Sequence, residues 1–174
     1  NRKTGNLRVF PAENYPNDYQ QIHAGVYAKG TETFSDYGGA DFLRFVVAVQ
    51  ADATIRDSGS LKLAFKKDRK IKRLKGILTR LGLRFVESRY GEVTEFRVPK
   101  CAHTAKAVSL LSGGKTFGAW VFSLTREFLD VFCEEVMLWD GCATRMSHYA
   151  SSNKINADFV QAAYAMSGKR ARVR

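Results

Sequence analysis

The sequence predicts an α+β fold in which one structural plan is used twice, and three observations carry that expectation. The apolar stretch FLRFVVAVQADATI (residues 42–55) closes on a small residue and a single acid, Asp52. A second stretch, EFLDVFCEEVMLWDG (residues 127–141), also runs apolar at helical spacing into one acid, Asp140, followed by Gly141. After each comes a strand-like segment and then an amphipathic helix that stops at a glycine, Gly82 in the first copy and Gly168 in the second.

Both acid-terminated stretches read as helices. In the second, Phe128, Val131, Phe132, Glu135, Val136 and Trp139 keep the three-and-four spacing of one helical face, with Gly141 as the stop. In the first, Val46–Val49 is apolar all round, which predicts burial on every side. A carboxylate at the C-terminal end of such a helix meets the negative end of the helix dipole, so its ionised form needs a positive partner.

The other elements follow in order. Residues 1–38, with two of the three prolines and only LRVF as a short strand, read as an irregular N-terminal extension. TIRDSGSLKLAF (residues 54–65) reads as a hairpin turning at Asp57, Ser58 and Gly59, with Leu61, Leu63 and Phe65 alternating against Lys62, Ala64 and Lys66. Residues 68–81 form an amphipathic helix with Ile71, Leu74, Ile77, Leu78 and Leu81 on one stripe and a cationic opposite face. LRFVESRYGEVTEFRVPK (residues 83–100) reads as a second hairpin turning near Gly91, and residues 102–111 as a short helix. Ser112-Gly113-Gly114 is the clearest linker, so the chain divides into residues 39–114 and 115–174. Past Asp140, CATRMSHYASS is a hairpin candidate and residues 153–166 a helix.

Composition narrows the function. The chain has 174 residues, 45 % of them hydrophobic, enough for one sizeable core or two small ones that share an interface. A formal net charge of +11 favours nucleic acid or another acidic surface as partner. Much of that surplus lies in residues 66–100, with twelve Lys and Arg against four Asp and Glu. Cys101, Cys133 and Cys142 have no metal-ligand spacing and read as reduced thiols of an intracellular, cytoplasmic protein. No apolar run approaches the roughly 20 residues of a membrane span, so no membrane partner is expected.

VAVQADATI (residues 47–55) and LWDG (residues 138–141), with LKLAFKKDRKIKRLKGILTRLG after the first and HYASSNKINADFVQAAYAMSG after the second, resemble the LAGLIDADG homing endonucleases of the double-motif type found in inteins of phage and microbial genes. The resemblance covers residues 38–174, and the spacing of 88 residues between the acids suits two tandem half-domains. It implies pseudo-symmetric half-domains of αββαββα type, whose two motif helices pack side by side and bring Asp52 and Asp140 together beneath the minor groove of double-stranded DNA. It also implies Mg²⁺ held by the two acids, with the carbonyls of Ala51 and Trp139 completing the set, and a double-strand cut at a long site. Lys66 stands near the family's active-site lysine, with Lys154 as its weaker counterpart. Lys62, Lys66, Lys67, Arg84, Arg89, Arg97, Lys154 and Arg172 are the implied DNA contacts. By alternation alone, Arg84, Arg89, Glu95 and Arg97 are either DNA-facing or cross-strand ion pairs.

The sequence also departs from that pattern. Gln50 stands where the pattern has its first acid, and Ala53 where it has glycine, which predicts strain of roughly 1 kcal/mol at a positive-φ position. The second half lacks the closing hairpin and final helix, so a missing C-terminal segment or a second chain is expected to complete it. Asn1 at the start and no His-Asn pair at the end predict a chain that does not splice by itself. An alternative reading on the same scaffold is a non-cleaving binder, either a maturase-like RNA-splicing helper or a DNA-binding regulator.

Overall fold

Helix α1, Ala40–Asp52, buries Phe42, Leu43, Phe45, Val46, Val47, Ala48, Val49 and Gln50, which cover all of its sides. A helix with no wettable face is stable only at the centre of a fold. In the computed structural model, which describes residues 30–113, 115–142 and 148–169, α1 holds that position. It packs against α2 (Asp68–Arg80), α3 (Ala102–Ser109) and α4 (Arg126–Trp139), the other acid-terminated helix.

Residues 40–109 run helix, two strands, helix, two strands, helix. The strands β1 (Ala53–Ile55), β2 (Leu61–Phe65), β3 (Val86–Tyr90) and β4 (Val93–Val98) form one antiparallel sheet in the order β1-β2-β4-β3. Register sets Leu63 beside Ala53 and Phe96, and Lys62 beside Thr54 and Arg97. Because side chains alternate across a strand, Leu61, Leu63, Phe65, Phe96 and Val98 form the buried face. Thr54, Ala64, Val86, Tyr90 and Arg97 lie on the other face and are exposed. The second hairpin turns at Gly91 (φ 60°), in the left-handed region that glycine enters without strain.

The second half is smaller among the described residues. A 3-10 turn at Ala119–Ser123 precedes α4, whose Thr125 hydroxyl accepts from the Phe128 amide at 3.4 Å as an N-cap. Strands β5 (Gly141–Cys142) and β6 (His148–Tyr149) pair antiparallel, and α5 (Lys154–Met166) packs on α4. Gly141 is required by space: an added Cβ would lie 2.4 Å from the Met137 carbonyl oxygen. Core residues from both halves, Phe96 and Phe42 as well as Phe132 and Val160, belong to one continuous hydrophobic cluster.

Two expectations need correction, the strain at Ala53 and the end of the helix expected over 102–111. Ala53 has φ −78° and ψ 143° and opens β1, so the position is extended and carries no positive-φ strain. The last residues of the expected extension pack on the core: Phe34 is buried edge-on against Phe42 and Trp120, and Glu32 bridges Leu124. The helix expected over 102–111 ends at Ser109. The LRVF strand expectation and Arg172 lie outside the described residues.

Candidate functional site

The seam between α1 and α4 ends in two carboxylates. Because the helices pack along each other and each terminates in its acid, Asp52 and Asp140 emerge at the same end of the pair. One ammonium serves both: Lys70 Nζ lies 2.6 Å from Asp52 Oδ2 and 3.8 Å from Asp140 Oδ1. The Lys70 side chain is 12 % exposed, and its ammonium also lies 6.0 Å from the Phe65 ring centroid and 5.7 Å from that of Trp139. Two rings beside the charge exclude water and strengthen every charge interaction in the site.

A second lysine reaches the pair from the linker. Lys115, in the left-handed region at φ 63°, brings Nζ to 3.5 Å from the Ala51 carbonyl oxygen. Burial pulls its pKa down, while the charges of Asp52 and Asp140 work to hold it up. Asp140 is pushed the other way: burial raises its pKa and the Asp52 charge adds to the rise, against the opposing pull of Lys70 and Lys115. Two close acids, one of them resisting ionisation, with two lysines beside them, make this a candidate site.

Helix α2 is docked on this seam by its basic side chains. Arg69 donates to the Leu138 carbonyl near the end of α4, Lys70 meets the acids, and Arg73 binds Glu135 through Nε (2.7 Å) and Nη2. Glu135 is buried on α4 and also accepts from Trp139 Nε1 at 2.6 Å, with Arg44 Nε of α1 at 3.7 Å. Residues 69, 70 and 73 share one face by helical spacing, so the clamp and the site lysine are set together.

The other expected site residues fall in different places. Lys66 does not join the acids: it is 69 % exposed and 3.6 Å from Glu92, because β2 carries it past the helix ends towards the second hairpin. Lys70, in the first turn of α2, is the lysine that lies against the acids. Lys62 and Arg97 share the open sheet face, both on Glu95. Arg89 does not, since register pairs it with Thr94 on the helix-covered face, where it donates to the Gly91 carbonyl at 3.2 Å and lines a cleft of about 410 Å³ with Lys66, Asp68 and Glu87. Arg84 and Lys67 are exposed, the first between α2 and β3 and the second at the start of α2. Lys154 pairs with Asp158 at 2.6 Å within α5. Trp139 is buried packing, and the Ala51 carbonyl faces Lys115.

Lys70, Lys115 and Arg73 were not singled out by sequence pattern, and Glu135 was placed on the apolar face of its helix without a partner. The stripe 69-70-73 beside the apolar stripe of α2 is a usable signal for the first and third. Lys115 follows a glycine pair and has no periodic partner, so only the folded chain brings it to the acids.

The two carboxylates are oxygen donors of the kind a hard cation takes. Among the described residues no three His, Cys, Asp or Glu side chains cluster, so an ion here would have two carboxylates, both now facing Lys70, as its side-chain ligands. That is the coordination Mg²⁺ accepts, since it keeps several waters and uses one or two carboxylates.

No protein-family model matches this chain, and no curated protein matches it. Among the described residues, no helix is long and apolar enough to cross a membrane.

Proposed function

We propose that this chain is a LAGLIDADG-type DNA endonuclease of intein origin, built as two tandem half-domains and cutting both strands of a long duplex site. The observation that carries the reading is the convergence of Asp52 and Asp140, from the ends of two packed helices, on one lysine. Further support comes from the αββαββα order of residues 40–109 and from the net charge of +11. Asp52 and Asp140 would hold Mg²⁺, which when bound polarises the scissile phosphate, lowers the pKa of attacking water and stabilises the leaving oxygen. Each carboxylate serves one strand. Lys70 balances the paired negative charge, and Lys115 brings a second ammonium beside the acids.

The test is cleavage of supercoiled plasmids carrying a randomised duplex insert, with Mg²⁺, the cut ends being sequenced. Cuts at a shared sequence, lost in the Asp52→Asn/Asp140→Asn variant, are the expected result. Cuts that survive in that variant would rule out the acids as the catalytic centre. Ca²⁺ in place of Mg²⁺ should support binding without cutting, because it accepts the oxygen ligands in a looser geometry.

The second reading, a non-cleaving nucleic-acid binder, is favoured by the Lys70 contact: an ammonium 2.6 Å from Asp52 already supplies the positive charge the acids need. It predicts salt-sensitive binding with no cutting under any divalent ion.

A further inference from the structure

The open face of the sheet contains one carboxylate that does not behave like a surface group. Glu95 sits mid-strand in β4 on the same face as exposed Arg97, yet it is only 6 % exposed. Its cross-strand neighbours are small, Ala64 on β2 and Ser88 on β3. The space above it is taken by two cations: Lys62 Nζ lies 2.5 Å from Oε2, and Arg97 Nε donates to Oε1 at 2.6 Å.

The register explains why an acid is needed there. Lys62 and Arg97 face each other directly across β2 and β4. Like charges directly opposite destabilise a strand pair, and the carboxylate two residues along β4 offsets that repulsion. Those contacts lower the carboxyl pKa, the Lys62 hydrogen bond most and the Arg97 hydrogen bond next, so Glu95 stays ionised.

A plain neutralising role would leave the two cations free to sample many rotamers. Here both cations are instead seated on the one carboxylate, each through a hydrogen-bonded nitrogen. Arg97 is held through Nε, which leaves the terminal Nη1 and Nη2 fork outside that bond. A guanidinium fixed at its inner nitrogen has already lost much of the rotamer freedom that binding would otherwise cost. Its remaining planar fork matches the O6 and N7 acceptors of guanine in a major groove, a match that an ammonium cannot make.

We infer that Glu95 is the positioning residue of a base-reading pair: it fixes Arg97, with Lys62 beside it, on the open sheet face so that Arg97 selects guanine in duplex DNA. This rests on the nucleic-acid reading proposed above. Glu95 touches no base itself. It acts through Arg97, and its removal adds net positive charge while taking away selectivity.

The experiment is selection of bound duplexes from a randomised library by the full chain, wild type against Glu95→Gln, Arg97→Ala and Arg97→Lys, with affinity also measured on unselected duplex. Wild type is expected to require guanine at one defined position, and Arg97→Ala to weaken that preference roughly tenfold or more. Glu95→Gln should flatten the same position and leave the others unchanged, while its affinity for unselected duplex rises with the lost negative charge. Arg97→Lys keeps the charge and loses the fork, so it should flatten that position too, which gives a second reading if the Glu95 variant does not fold. Retained guanine preference in Glu95→Gln, or an even change at every position, overturns the inference. Binding by wild type with no positional preference also overturns it. Wild type that binds no duplex at any salt concentration overturns the nucleic-acid reading itself, a distinct outcome.

Discussion

The carboxylate of Glu135 on α4, 1 % exposed, receives two hydrogen bonds from the guanidinium of Arg73 on α2. Arg73 lies three residues after Lys70, so the pair that fastens α2 to α4 also fixes the height of Lys70 between the acids. Arg73→Ala leaves a buried charge with only a more distant Arg44 and an indole N–H, and is expected to cost about 3–5 kcal/mol in urea unfolding. Replacing both residues by leucine should recover part of that loss, because the desolvation cost disappears with the charges while the buried Trp139 Nε1 loses its acceptor. A loss for Arg73→Ala of less than about 1 kcal/mol, the value of a surface pair, would show that the clamp does not hold α2.

Asp140→Asn separates activity from stability. The Asp140 carboxyl has a pKa raised by burial, so its ionised form is the one the fold disfavours. The penalty is absent at a pH below the ordinary carboxylate range and develops in full as pH rises through the raised value. Thermal unfolding at pH 7 should therefore give a higher midpoint for Asp140→Asn than for wild type, with the gap closing as the solution is made acidic. Cutting should be lost in the same variant while duplex binding persists. A lower midpoint at pH 7 would mean that contacts with Lys70 and Lys115 outweigh burial.

The three lysines can be ranked by single-turnover cleavage of the selected site. Lys70→Ala and Lys115→Ala should reduce the rate by roughly 10²–10⁴, the range for loss of a positioned proton-transfer or charge-balancing group. Lys66→Ala should leave it nearly unchanged, since that ammonium is 69 % exposed and pairs with Glu92. Rates that fall most in Lys66→Ala would reverse this assignment and restore the position expected from sequence resemblance.

Asp41 gives a pH dependence of the opposite sign to Asp140. Burial opposes its ionisation, but hydrogen bonds from Arg80 and Arg44 outweigh that and hold its pKa below the ordinary value. A carboxyl lowered in the fold contributes stability that is present above its unfolded pKa and disappears as pH falls through the folded one. Urea midpoints should accordingly favour wild type over Asp41→Asn at pH 7 and converge in strong acid. Equal midpoints at pH 7 would show that Arg44 and Arg80 do not stabilise the start of α1 through this acid.

What was legible in the sequence is what local periodicity writes. The apolar run of α1, the amphipathic stripe of α2 and the alternation of β2 set which faces are buried, and Gly82, Gly91 and Gly168 mark ends and turns at positive φ. From those patterns followed an α+β chain with an acid at the end of each of two helices.

Tertiary packing alone decided the rest. Which lysine meets the acids depends on where β2 ends and how α2 crosses the seam: Lys66 leaves with the strand end, and Lys70 is carried in by the first turn of α2. Arg89 and Arg97 look alike in sequence, yet strand register sends them to opposite faces of the sheet. Lys115 reaches Ala51 from 64 residues away through a linker with no periodicity. The place of Glu135 on the apolar face of α4 was written in its three-and-four spacing, but its partners Arg73 and Arg44 were not, and Glu95 is covered only because Lys62 and Arg97 from two strands meet over it.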